Sequence, residues 1–140
     1  METGLIHLHS TLAIAVLVGL LVTILMALFQ KPLTATTRKV AKIAMILFHT
    51  QFLVGLILYF VSPRGSFALS AEAISIPSVR LYIVEHPLMA LIALVLVTIG
   101  HAKMKRATGD LGAKPLLIFY SLGLLLVLSR IPWSTWSLFN

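Results

Sequence analysis

The sequence predicts an all-α integral membrane protein, a four-helix bundle with both termini on the outer side, and three observations carry that expectation. Hydrophobic residues make up 59% of the 140-residue chain and charged residues only 11%, whereas a soluble domain carries about 25% charged residues. Four apolar runs approach the roughly 20 residues a helix needs to cross the hydrocarbon core. The basic residues, eleven against four acids, gather in two of the connections between those runs.

The formal charge of +7 raises the question of a nucleic-acid partner. No basic stripe interleaved with aromatics accompanies it, so no nucleic acid is expected. The chain has no cysteine, which excludes a disulfide framework, a thiolate metal site and an all-cysteine iron–sulfur cluster. A tightly held metal would have to rest on His, Met or oxygen ligands.

The whole chain, 1–140, reads as one transmembrane domain with spans at about 5–29, 43–62, 78–104 and 114–131. The first is free of formal charge from Gly4 to Gln30 and closes at Lys31 and Pro32. It is too long for the apolar core of a signal peptide and follows Glu2 rather than a basic segment, so a true span is expected. The second stops at the turn signal Ser62-Pro63-Arg64-Gly65. The third is densest over 87–100 and must borrow its first two turns from 78–86, which places Pro87 inside it and predicts a kink there. The fourth begins near Lys114 and Pro115, with proline in a favourable first-turn position. Trp133 and Trp136 follow it as expected interfacial anchors.

Orientation follows from Lys and Arg, which are retained on the cytoplasmic side. Lys31, Arg38, Lys39 and Lys42 lie in the first connection and Lys103, Lys105, Arg106 and Lys114 in the third, with Asp110 the one acid among them. The opposite side holds Arg64, Arg80 and Arg130 with Glu2, Glu72 and Glu85. Loops one and three are therefore expected in the cytoplasm, and the second loop, 62–77, outside as an interfacial segment.

An ionisable residue within a span is expensive and marks function by default. The expected interior is nearly free of Asp, Glu, Lys and Arg, which argues against an ion-coupled transporter. Five histidines remain: His7, His9, His49, His86 and His101. With a rise of about 1.5 Å per residue, His9 stands about 30 Å and His86 about 25 Å above the cytoplasmic helix ends, against about 10 Å for His49 and about 3 Å for His101. Two layers result. The outer one pairs His9 with His86, and the inner one pairs His49 with His101.

On the first helix His9 shares a face with Ala13, Val16, Thr23 and Ala27, whereas His7 shares one with Thr11, Ile14, Val18 and Leu25, so His9 is expected to point inward. On the third helix His86 and His101 lie on broadly one face. Between them run Ala90, Ala93, Val97 and Gly100, small residues that suit either a flat macrocycle or close helix packing. His49 has Met45, Phe52, Leu53 and Leu56 around it, which fit a porphyrin or another helix equally.

The functional expectation is bis-histidine ligation of haem b, with His9 and His86 on an outer iron and His49 and His101 on an inner one. Arg80 and Arg130 outside, and Arg38, Lys39 and Lys42 inside, are candidates to pair with haem propionates, although topology alone accounts for them. Thr50 and Gln51 beside His49, and Glu85 beside His86, are candidate hydrogen-bond partners of the imidazoles, whether as ligand supports or as the whole reason for those histidines.

The segments Leu8-His9-Ser10, His49-Thr50-Gln51, Gly55-Leu56-Ile57-Leu58-Tyr59-Phe60, Glu85-His86-Pro87, Thr98-Ile99-Gly100-His101 and Arg130-Ile131-Pro132-Trp133 resemble small bacterial four-helix membrane proteins described as cytochrome b-like. The resemblance covers most of the chain. It implies a haem-binding or quinone-linked protein of the bacterial inner membrane, with His9, His49 and His86 as ligands.

Three functions are expected to compete. One is a membrane cytochrome with one or two haems that moves electrons between a quinone pool and a redox partner. Another is a non-catalytic accessory subunit of a larger membrane complex, with one haem or none. The last is a metal-handling or small-solute protein using His with Met45 or Met89. Membrane lipid is a partner under all three.

Overall fold

The computed structural model describes residues 1–136, and these are helical with no strand among them. Four helices are long and apolar enough to cross a membrane: α1 (Glu2–Phe29), α2 (Ala35–Val61), α3 (Pro77–Arg106) and α4 (Gly109–Ser129). Helix α1 packs on α2 and α4, and α3 packs on α2 and α4, so the four form a ring of antiparallel neighbours. One end of the bundle carries Met1 and the described chain after α4, and the other carries the two basic connections. We call these the terminal end and the basic end.

Each helix buries a narrow stripe at alternating intervals of three and four. The stripes are Val16, Leu20, Thr23 and Ala27 on α1, then Thr37, Ala41, Ala44, Phe48 and Gln51 on α2. On α3 and α4 they are Ala93, Val97, Gly100 and Met104, and Ala113, Leu116, Tyr120 and Gly123. That spacing is the seam of a left-handed bundle. Small residues at these positions bring the backbones close. A Cβ on Gly123 would stand 2.8 Å from Val97 Cγ2, and one on Gly100 2.6 Å from Phe119 Cβ. Large apolar side chains such as Val18, Leu25, Leu53, Ile57, Val95 and Leu125 are exposed around the outside, as a surface facing lipid requires.

The helix bounds depart from the expected ones at three places. Helix α2 begins at Ala35, eight residues before the expected 43, because Thr34 caps it: its Oγ1 accepts from the Thr37 N–H at 3.1 Å. The first basic cluster is therefore helical, and Arg38 reaches across to donate to the Met104 carbonyl at 3.0 Å in the last turn of α3. Helix α4 begins at Gly109, so Pro115 falls in its second turn instead of its first. Gly112 fits there against Leu33, Arg38 and the Met104 carbonyl. The second loop is partly helical, with a short helix at Ala71–Ser75 capped by Ser70.

Pro87 does disturb α3, by way of a π-type turn over Leu81–Glu85 just before His86 and Pro87. Proline has no N–H to offer the carbonyl four residues earlier, that of Ile83. The Tyr59 hydroxyl of α2 donates to that carbonyl at 3.0 Å. Beyond α4, Trp133 is exposed and Trp136 buried, with ring centroids 5.6 Å apart.

Candidate functional site

At the terminal end, α1 and α3 bring His9 and His86 together with ring centroids 6.2 Å apart and planes at 79°. Helix α1 turns His9 inward because Val16, Thr23 and Ala27 of the same face are buried, while His7, Thr11, Ile14, Val18 and Leu25 are exposed. The expected choice of His9 over His7 as the inward residue therefore matches the packing.

Both imidazoles are held by other helices. His86 Nδ1 is 2.9 Å from the Arg130 carbonyl, an acceptor only, so Nδ1 carries the proton and Nε2 is left as the lone-pair nitrogen. His9 sits over Gly55 of α2, where a Cβ would stand 2.9 Å from His9 Cε1. Gln51, one turn before Gly55, donates Nε2–H to the His9 carbonyl at 2.9 Å. Two buried polar atoms at this site have no hydrogen-bond partner, His9 Nδ1 and Gln51 Oε1. A buried polar atom left so costs about 1–3 kcal/mol, so their place beside a histidine pair points to function.

The rim of the site is charged. Glu85 accepts from Arg80 Nε at 2.8 Å and forms an ion pair with Arg130, whose Nε lies 3.2 Å from its other oxygen, so two guanidiniums converge on one carboxylate and leave a net positive charge. Arg80 and Arg130 are thus occupied by Glu85 beside His86, and the Arg130 carbonyl links the cluster to the imidazole.

The inner histidines are arranged differently. His49 Nδ1 lies 2.8 Å from the Met45 carbonyl, and its Nε2 lies 3.4 Å from Thr98 Oγ1 of α3. His49 thus donates to its own helix through Nδ1, which leaves Nε2 as the lone-pair nitrogen, while the Thr98 hydroxyl donates to the Leu94 carbonyl at 2.7 Å. His101, one turn after Thr98, lines an open crevice between α2 and α3 with Lys42 and Met45. The stripe Ala93, Val97 and Gly100 between His86 and His101 faces α4, where Gly123 and Phe119 fill the space. These small residues serve helix packing, and the alternative of room for a macrocycle along that face falls away. No group of three or more His, Cys, Asp or Glu side chains is gathered among the described residues.

Sequence reasoning missed Gly55 and Tyr59 as parts of the site. The signal was there: Gln51, Gly55 and Tyr59 recur every four residues, so they share one face of α2 and carry the polar and small groups of its terminal half. Comparison with family models, with curated proteins and with solved structures finds no match to this chain.

Proposed function

We propose that the protein is a membrane b-type cytochrome of the bacterial inner membrane, in which His9 and His86 are the axial ligands of a haem on the outer side. The observation that carries this reading is the 6.2 Å between the two ring centroids on facing helices. With metal–nitrogen bonds of about 2.0–2.1 Å and a ring centre roughly 1.1 Å behind each nitrogen, two imidazoles across one metal ion stand about 6 Å apart.

The surrounding residues suit the group. The Arg130 carbonyl fixes the tautomer of His86 that leaves Nε2 for iron, the second-sphere arrangement metal-bound histidines use. Gly55 gives His9 room against α2, and the unpartnered His9 Nδ1 and Gln51 Oε1 belong to residues already joined by one hydrogen bond. The two guanidiniums at Glu85 leave one positive charge in excess beside His86, which would suit a carboxylate-bearing cofactor. A bound haem would supply one-electron chemistry, and the protein would pass electrons between a quinone pool and a redox partner or larger complex. Placing the terminal end outside rests on the basic residues at the other end.

A second haem at His49 and His101 belongs to the proposal only as its larger form. Among the described residues the close histidine ring pair is His9 with His86, which favours the one-haem form. It equally favours an accessory subunit in which His49 is structural.

Haem stoichiometry per polypeptide tests the reading. Purified protein supplied with haem during expression is expected to show a Soret band and a reduced α-band, kept in His7→Ala, and in His9→Ala and His86→Ala lost in the one-haem form or reduced by about half in the two-haem form. In the one-haem form His49→Ala keeps them too, and in the two-haem form it removes about half. A colourless wild-type protein after haem supplementation, folded by circular dichroism, overturns the proposal.

A further inference from the structure

The basic end holds a feature that the histidine pair does not use. Between α2 and α3 an open crevice of about 590 Å³ is lined by Lys42, Met45, Thr98, His101, Lys105 and Arg106. A second of about 300 Å³ adjoins it and shares Lys42, His101 and Lys105, extending the basic lining to Arg38 and Lys39. No acid lines either crevice. The ion pairs among the described residues are the two on Glu85 at the far end of the bundle, so no carboxylate answers this cluster.

The lining is graded with depth. Lys42, Lys105 and Arg106 form the rim, while Thr98 lies two turns deeper than Lys105, about 10 Å along the helix. The stripe continues apolar and exposed. On α3 it runs Lys105, Ala102, Thr98, Val95, Leu91 at intervals of three and four, and Val95 and Leu91 are exposed. On α2 the exposed Ile46 and Leu53 extend the wall beyond Lys42 and Met45. A cationic rim above an apolar track that opens sideways to lipid is complementary to one chemistry, a phosphate head with hydrocarbon chains.

We propose that this crevice binds the headgroup of an anionic phospholipid, with Lys42 and Lys105 on the phosphate from opposite walls and an acyl chain lying along Val95 and Leu91. His101 stands at the level of the glycerol esters, where a ring N–H has acceptors to meet. The site rests on charge and shape at the basic end and is independent of any cofactor between His9 and His86.

Native mass spectrometry of the full chain in neutral detergent tests it, with phosphatidylglycerol, phosphatidylcholine and inorganic phosphate as separate probes. Phosphatidylglycerol is expected to be retained in preference to phosphatidylcholine. Removing two basic contacts in Lys42→Gln/Lys105→Gln should weaken that retention about 30-fold, a factor of about five for each. Lys42→Arg/Lys105→Arg should keep it. The control Lys31→Gln/Lys114→Gln makes the same change of charge at the same end outside both crevices, and should bind as wild type. Equal retention of the two lipids, or an equal loss in the control, overturns the site. Displacement of phosphatidylglycerol by millimolar inorganic phosphate overturns the lipid as its occupant.

Discussion

The Tyr59 hydroxyl and the Ile83 carbonyl form a 3.0 Å hydrogen bond that repairs the gap Pro87 leaves in α3. It joins the terminal half of α2 to the turn that presents His86, three residues on. Tyr59→Phe removes the donor and keeps the ring. Interhelical hydrogen bonds in membranes contribute about 0.6 kcal/mol on average and about 1.7 at most. A destabilisation within that range is expected in detergent unfolding, together with faster deuterium exchange over 81–88. Unchanged exchange there would show that the π-type turn holds without Tyr59.

Gly55→Ala separates site geometry from stability. The added Cβ would stand 2.9 Å from His9 Cε1, closer than such contacts occur, so the imidazole must move. Alanine within a helix is otherwise favoured over glycine by about 0.8–1.0 kcal/mol. If the site holds haem as proposed, the expected outcome is a thermal midpoint equal to or above wild type with haem content per chain reduced. A fall in both together would mean that Gly55 serves packing alone.

Gly100→Leu tests the contact between α3 and α4. Its Cβ would meet Phe119 Cβ at 2.6 Å and the Pro115 carbonyl at 3.3 Å, and the carbonyl cannot rotate away as a side chain end can. Overpacking of this kind costs about 1–3 kcal/mol. Gly4→Leu, with nothing within 4 Å of its added Cβ, is the neutral partner measurement.

Topology is directly testable because the chain has no cysteine. Single cysteines at the exposed Thr36 and Ala71 stand at opposite ends of the bundle. If the basic end is cytoplasmic, Ala71→Cys reacts with a membrane-impermeant maleimide in intact spheroplasts, and Thr36→Cys reacts only after lysis. The reverse pattern would invert the orientation.

Much of the bundle was legible in the sequence. Span number, approximate span limits and the inward turn of His9 follow from run length and from helical spacing, both of which are local. The start of α2 was misread because Arg38, Lys39 and Lys42 looked like loop, yet charge at a membrane interface does not oppose helix, and Thr34 supplies the cap. The face of α3 holding Ala93, Val97 and Gly100 was legible as inward, but its partner was not, since a small residue admits a neighbouring helix and a flat ring alike.

By itself the sequence determined that four apolar runs are long enough to span and that the positive charge gathers in two of their connections, because hydrophobicity and charge add up along the chain. Only the tertiary structure decided what meets at the terminal end. The carbonyl that orients His86 belongs to Arg130, 44 residues away, and the hydroxyl that mends its helix belongs to Tyr59, 24 residues from Ile83. Such pairings depend on how each helix is rotated about its axis against its neighbours. That rotation is set by the combined packing of all four stripes, and by a π-type turn that no local period announces.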